Sequence, residues 1–93
     1  NAPTNLIGTP VSTTQINLSW TDNSGNEQGF SIERCVGNNC TNFAQIAQVG
    51  ANVTNFSNTG LIANTRYRYR VRAFNTSGNS AFSNIVTVRT PNR

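Results

Sequence analysis

Residues 65–75 show the clearest alternation of polar and apolar positions in the chain. Successive side chains of a β-strand point to opposite faces of a sheet. Every second residue on one side of this segment is aromatic or aliphatic, and the set is Tyr67, Tyr69, Val71 and Ala73. The intervening positions are basic, and the set is Arg66, Arg68, Arg70 and Arg72. The pattern predicts a central antiparallel strand with one face in the core and the arginine face in water.

Shorter runs of the same kind recur along the chain, separated by residues that are typical of turns. With the segment above, the predicted strands are residues 5–8, 15–21, 30–34, 43–49, 52–57, 65–75 and 84–90. No run has the periodicity of a helix. Seven short strands predict an all-β fold, a seven-stranded antiparallel β-sandwich of two sheets.

The chain has 93 residues, of which 35% are hydrophobic and 11% are charged. This length predicts a single domain with a thin core. No apolar run is long enough to cross a membrane, and no signal peptide is visible. The chain starts at Asn1-Ala2-Pro3, and both ends are polar and contain proline. We therefore expect residues 1–93 to be a single module excised from a larger protein, with neighbouring domains of the same chain as its partners.

The two cysteines, Cys35 and Cys40, are separated by four residues rich in glycine and asparagine. A tight loop of this kind brings the two Cα atoms within bridging distance, which predicts a disulfide and an oxidising, extracellular compartment. A metal site is not expected, because the chain has no histidine and no further cysteine. A reactive thiol pair is a weaker alternative, since Arg34 is the only nearby charge that would stabilise a thiolate.

Several short motifs, in this order and at this spacing, resemble the fibronectin type III family over essentially the whole chain. They are Ala2-Pro3, Ile16-x-Leu18-Ser19-Trp20, Gly60-Leu61, Thr65-x-Tyr67-x-Tyr69-x-Val71-x-Ala73-x-Asn75, Gly78-x-Ser80 and Thr90-Pro91. The segment Trp20–Arg34 is similar to the version that is common in secreted bacterial multidomain proteins.

The resemblance implies an immunoglobulin-like sandwich with three strands in one sheet and four in the other. It implies that Tyr67 forms a tyrosine corner, with its hydroxyl hydrogen-bonded to the backbone of residues 61–64, and that Trp20 is the centre of the core. The order of cysteines and tryptophan does not fit an immunoglobulin domain proper, because both cysteines follow Trp20. Members of the family usually lack disulfides, so the pair Cys35 and Cys40 departs from its pattern without threatening the fold.

Catalysis is not expected, because the chain lacks the histidine that usually serves as a base near neutral pH. The one conceivable acid–base pair is Asp22 with Glu27, and both lie in a polar loop where two solvated carboxylates are the better interpretation. The oxygen-rich segment 22–27 also raises the question of a calcium site, although Asx-turns account for the same residues. We expect no enzyme activity and no cofactor or metal, and leave calcium binding by this loop open.

The arginine face is the main functional candidate in a chain of net charge +4. Its four guanidinium groups would lie roughly 7 Å apart along the strand and could engage carboxylates or sulfates of an acidic polysaccharide. Phe74 lies on the same face and could add a stacking surface. The other interpretation is a solvated face in which Glu33 pairs with one arginine. Nucleic-acid binding is not expected, because the tyrosines that would stack on bases point into the core.

These observations favour a non-catalytic spacer or accessory module of a secreted multidomain protein, such as a polysaccharide- or polymer-degrading hydrolase. The alternative is a carbohydrate- or cell-surface-binding module that uses the arginine face. In either case we expect a monomer without membrane insertion.

Overall fold

A computed structural model of the protein describes residues 3–23, 27–37, 40–75 and 78–91. Within these ranges the chain forms eight strands. They are β1 (Thr4–Ser12), β2 (Gln15–Thr21), β3 (Gly29–Val36), β4 (Ala44–Gly50), β5 (Asn55–Asn58), β6 (Arg66–Asn75), β7 (Gly78–Asn79) and β8 (Val86–Arg89). None of the described residues belongs to a helix that could span a membrane.

The strands form two antiparallel sheets that pack face to face, as the sequence predicts. The first sheet has the order β1-β2-β5. In the second sheet the order is β4-β3-β6, and both β7 and β8 pair with the free edge of β6. The fold is therefore an all-β sandwich of the immunoglobulin-like class.

The structure has eight strands rather than the predicted seven, because the two-residue strand β7 pairs with β6 in a segment that lies outside the predicted strands. Between β7 and β8, the hydroxyl oxygens of Ser80 and Ser83 accept hydrogen bonds from the backbone N–H groups of Ala73 and Val71, at 3.0 and 3.1 Å. Serine hydroxyls offer the backbone an alternative to regular strand pairing. The side chains and backbone N–H groups of the two serines thus continue the hydrogen bonds along β6, where no regular strand is formed.

The first strand is longer than the sequence predicts, because it runs from Thr4 to Ser12 rather than over residues 5–8. Its register against β2 shifts between Thr4 and Ile7, where Asn5 has a φ of 57°. A bulge of this kind moves side chains out of alternation and hides the strand from a period-two pattern. Pro10 is tolerated because β1 lies at the edge of its sheet.

An asparagine closes the sandwich beside this strand. The side-chain oxygen of Asn84 accepts a hydrogen bond from the backbone N–H of Leu6 at 2.9 Å, and its amide nitrogen donates to the Leu6 carbonyl at 3.1 Å. The side chain thereby pairs with a backbone as a neighbouring strand would. It joins β1 of the first sheet to the segment that leads into β8 of the second.

The core lies between the two sheets. Its buried apolar residues are Leu6, Ile16, Leu18, Trp20, Phe30, Ile32, Leu61, Tyr67, Tyr69, Val71, Ala73 and Val88. Trp20 of β2 meets Phe30 of β3 edge to face, with ring centroids 5.6 Å apart. The hydroxyl of Tyr67 accepts a hydrogen bond from the Ile62 N–H at 2.9 Å, within the segment expected for a tyrosine corner. The inward face of β6 is therefore arranged as the sequence predicts.

A polar contact also joins the two sheets, and Asn58 at the end of β5 is its centre. Its side-chain oxygen accepts hydrogen bonds from the Tyr69 hydroxyl at 2.7 Å and from Nη1 of Arg34 at 3.1 Å. The Arg34 guanidinium also lies 5.4 Å from the centroid of the Tyr67 ring. Arg34 shares the inward parity of Phe30 and Ile32, which is the signal in the sequence that could have placed it here.

Burial raises the pKa of Tyr69 well above its usual value, an effect that the nearby Arg34 guanidinium partly opposes. Above about pH 10 an unfolded tyrosine loses its proton while the folded Tyr69 keeps it. The native state then binds more protons, so this residue makes stability fall as pH rises. We expect the free energy of unfolding, measured by urea denaturation between pH 8 and 11, to fall less steeply in Tyr69→Phe than in the parent. Equal slopes would contradict the assignment.

The sandwich is elongated, with principal extents of 41, 23 and 19 Å. At one end, here called the first pole, Thr4 pairs with Thr21. At the opposite end, the second pole, Arg66 of β6 pairs with Arg89 of β8. The backbone N–H of Leu61 donates to the Thr14 carbonyl at 3.0 Å, which joins the turn between β1 and β2 to the segment that leads into β6. The described chain therefore enters the sandwich at one pole and leaves it at the other.

Candidate functional site

Arginines on the outward face of β6 form ion pairs with a glutamate of the neighbouring strand β3. Glu33 lies directly opposite Arg70 in the strand register. Its Oε1 atom accepts a hydrogen bond from Arg70 Nε at 2.9 Å and lies 2.7 Å from Arg70 Nη2. Its other oxygen lies 4.0 Å from Nη2 of Arg72. The expected pairing of Glu33 with an arginine is present and extends to a second one.

Two phenylalanine rings cover the same arginines. The guanidinium carbon of Arg70 lies 4.3 Å from the ring centroid of Phe43 and 3.8 Å from that of Phe82. Arg68 also lies over Phe43, at 5.8 Å, and Arg72 lies over Phe82, at 4.6 Å. A guanidinium over an aromatic face gains about 0.5–2 kcal/mol, depending on how far it is desolvated. The three arginines, Arg68, Arg70 and Arg72, are consequently half-buried. Together with Glu33, Phe43 and Phe82 they form what is here called the arginine layer.

This layer corrects one expectation from the sequence. The arginine face is not fully in water, because Phe43 and Phe82 cover part of it. Phe74 lies on the same face, opposite Gly29 of β3 in the strand register, and its use as a stacking surface stays a prediction. The stacking rings lie outside the alternating segment, and strand parity alone does not reveal them. Phe82 reaches the arginines from the segment between β7 and β8, which Ser80 and Ser83 attach to β6 by hydrogen bonds.

The disulfide between Cys35 and Cys40 is present, with a Cα–Cα distance of 6.0 Å, as the sequence predicts. It links the end of β3 to the segment that precedes β4. The Cys40 carbonyl accepts a hydrogen bond from Nη1 of Arg68, and Arg68 is the register partner of Cys35. The closed loop therefore engages one donor group of a third arginine.

The acidic loop offers no assembled centre in the part of the chain that the structure describes. Glu27 accepts a hydrogen bond from the backbone N–H of Asn52 at 3.1 Å. No three residues among the described acids, cysteines and histidines come together as a metal-binding group. Residues 24–26, the middle of the segment considered for calcium, lie outside the described residues.

Arg66, the remaining arginine of the face, has a different environment. It is exposed and flanks an open cleft of about 480 Å³ at the second pole, which Gly37, Asn64, Thr65 and Arg89 also line. Nε and Nη2 of Arg89 both donate to the side-chain oxygen of Asn64, the first at 3.0 Å. Within the described ranges, no hydrogen bond or ion pair engages the Arg66 guanidinium. The sequence predicts Arg66 as part of the face but does not reveal its pairing with Arg89.

Glu33→Gln tests the arginine layer. The substitution keeps the shape of the side chain but leaves Arg70 and Arg72 without their counter-charge. We expect it to lower the free energy of unfolding by about 1–2 kcal/mol at low salt and by less at high salt, because charged hydrogen bonds are lost in a partly screened site. Glu27→Gln makes the same charge change elsewhere and should cost under about 0.5 kcal/mol. Equal effects of the two, measured by urea denaturation, would contradict a specific role for Glu33.

The fold and the surfaces described above define a small immunoglobulin-like β-sandwich module. The family model for the fibronectin type III domain matches residues 1–89. The chain belongs to this family.

Two relatives are large carbohydrate-directed enzymes by name. The chain is 37% identical over 92 residues to Exoglucanase B of Cellulomonas fimi, covering 95% of this chain and 8% of that protein. It is 35% identical over 92 residues to an alpha-amylase of Niallia circulans, covering 96% of this chain and 6% of that protein. The chain thus spans less than a tenth of the length of either relative.

Solved structures agree on the fold. The fn3 domain of human contactin 1 superposes with a TM-score of 0.86 at 19% identity, over 100% of this chain and 79% of that one. The chicken CNTN1 FN1-FN3 domains superpose with a TM-score of 0.84 at 24% identity, over 96% of this chain and 30% of that one. At these identities the likeness concerns the sandwich alone.

Proposed function

We propose that this chain is a non-catalytic spacer module within a secreted, multidomain carbohydrate-degrading hydrolase. The observation that carries the proposal is the relation to an exoglucanase and an alpha-amylase in which the matching segment is a minor part. The module would act by geometry, holding the domains on either side of it apart. Its partners would be those neighbouring domains, and it would work as a monomer.

The placement of the strands supports such a role. The described chain enters at the first pole and leaves at the second, so domains joined at the two ends would be separated by the long axis of about 41 Å. The strands are paired within each sheet, and side-chain contacts such as that of Trp20 with Phe30 hold the two sheets together. A body of this kind resists bending more than an unstructured linker does.

The disulfide supports secretion. Bonds of this kind persist in oxidising compartments and are rare in the cytosol. The Cys35–Cys40 bond closes a short surface loop. We infer that it protects the second pole from proteolysis in a protein that works outside the cell.

The alternative function, ligand binding by the arginine face of β6, has less support. Three of its four guanidinium groups already have partners within the protein: Arg68, Arg70 and Arg72. A ligand that engaged them would have to displace Glu33 or the two phenylalanine rings.

The test is made in the full-length protein that carries this chain. Deletion of residues 3–91 should leave turnover of a small soluble substrate unchanged and reduce degradation of the insoluble polymer. X-ray scattering should show the neighbouring domains about 40 Å closer, as expected from the extent of 41 Å. Replacement by an unrelated fibronectin type III domain of equal length should restore both properties. If only the original sequence restored polymer degradation, the spacer role would be wrong and specific binding or chemistry would be required.

A further inference from the structure

The cleft at the second pole places two arginines of like charge side by side. Arg66 and Arg89 are register partners on β6 and β8. Like charges directly opposite each other destabilise a pair of strands. The arginines farther along β6 avoid this cost through Glu33 and two aromatic rings, whereas Arg66 has no such partner among the described residues. An anion between the two guanidinium groups would remove the repulsion.

We propose that this cleft binds the carboxylate or sulfate group of an acidic saccharide. Guanidinium groups engage these anions by paired, charge-assisted hydrogen bonds. Both side chains are exposed at the cleft and have donor groups available to a ligand. The binding group would consist of Arg66, at one end of the arginine face of β6, and Arg89, on the neighbouring strand β8.

Arg89 is held in position for this task. Two of its nitrogens donate to the same side-chain oxygen of Asn64, which uses only part of the guanidinium's donor capacity. Asn64 is itself fixed, because its backbone is in the left-handed region at φ 57° and its N–H donates to the Pro91 carbonyl at 3.1 Å. A pre-oriented donor loses less conformational entropy when a ligand binds.

The shape and lining of the cleft favour a saccharide. At about 480 Å³ it falls within the usual range of small-molecule sites and admits a sugar ring with its charged group. Asn64 and Thr65 also line the cleft, and the Thr65 hydroxyl, which donates to the Ala63 carbonyl at 3.1 Å, keeps an acceptor for a sugar hydroxyl. No aromatic ring is among the described lining residues, so stacking of nucleic-acid bases is not supported. The choice of a saccharide over another anion rests on the proposed function, whereas the anion site itself rests on the geometry.

The binding test uses the domain at low ionic strength, with trigalacturonate as the carboxylate saccharide and a heparin-derived tetrasaccharide as the sulfated one. Millimolar binding of either probe is expected, with chemical-shift changes at the Arg66 and Arg89 Nε–H groups. Arg66→Gln and Arg89→Gln should each weaken binding about tenfold. Arg72→Gln removes the same charge from the arginine face outside the cleft and should change affinity less than about twofold. Amide spectra and thermal unfolding establish that each variant is folded.

Several outcomes would overturn the proposal. It fails if neither saccharide binds, if Arg72→Gln weakens binding as much as the cleft variants, or if inorganic sulfate or an oligoglutamate peptide binds as tightly as the saccharides. The spacer role is judged separately by deletion and domain replacement. Arg66→Gln should leave the separation of the neighbouring domains unchanged, so either proposal can fail alone.

Discussion

Replacing Asn58 by leucine is expected to lower the free energy of unfolding by about 3 kcal/mol, because two donors would lose their shared acceptor. The Tyr69 hydroxyl and the Arg34 guanidinium both donate to the Asn58 side-chain oxygen. Tyr69 is completely buried and cannot turn to water instead. A buried polar group left without a partner costs about 1–3 kcal/mol, and more when it is charged. In a domain of this size the melting temperature should fall by about 15 °C.

Asn58→Asp is the matched control for this prediction. The aspartate keeps an oxygen acceptor in the same place and adds a charge opposite to that of Arg34, so we expect a change of less than about 1 kcal/mol. Urea denaturation of both variants at neutral pH gives the comparison. If Asn58→Leu cost no more than Asn58→Asp, the hydrogen bonds at Asn58 would not be what joins the two sheets at this point.

Replacing Trp20 by alanine is expected to cost about 4 kcal/mol and could leave the domain unfolded at 37 °C. Trp20 is 5% exposed and forms the edge-to-face contact with Phe30 between the sheets. Removing a buried aromatic side chain loses its transfer free energy and leaves a cavity, at a cost of about 3–5 kcal/mol. Thermal unfolding followed by circular dichroism measures the effect.

Trp20→Phe separates packing from hydrogen bonding at this position. The buried indole nitrogen has no hydrogen-bond partner among the described residues. The phenylalanine variant should therefore lose only packing, and we expect a cost of about 1–2 kcal/mol. If Trp20→Phe were as damaging as Trp20→Ala, the ring contact with Phe30 would not be the main contribution of Trp20.

The inward face of β6 shows how far sequence reasoning reaches in this protein. Alternation places Tyr67, Tyr69, Val71 and Ala73 on one face, and the structure buries all four. The hydrogen bond of Tyr67 and the disulfide of Cys35 with Cys40 also lie where the sequence places them. These features depend on local periodicity, on short loops or on motifs of fixed spacing, so they are available without knowledge of distant contacts.

The contacts within the candidate sites could be predicted less well from the sequence. Arg34 follows the inward parity of β3, yet its contacts with Asn58 of the other sheet and with the Tyr67 ring are needed to explain how a charged group is accommodated there. Phe43 and Phe82 reach the arginines from segments before β4 and before β8. Phe43 is the first residue of the predicted strand 43–49 and Phe82 lies outside every predicted strand, so the alternation within β6 does not reveal either ring.

The two faces of the central strand, the sandwich class and the position of the disulfide could all be predicted from residue types and their spacing. The contacts of the arginines depend on the assembled fold, which places Glu33 and two phenylalanine rings against three of them and sets Arg66 beside Arg89 at the second pole. The physical reason is that alternation along one strand predicts only which face of the sheet a side chain lies on. The register between strands that are distant in the sequence determines which side chains meet on that face.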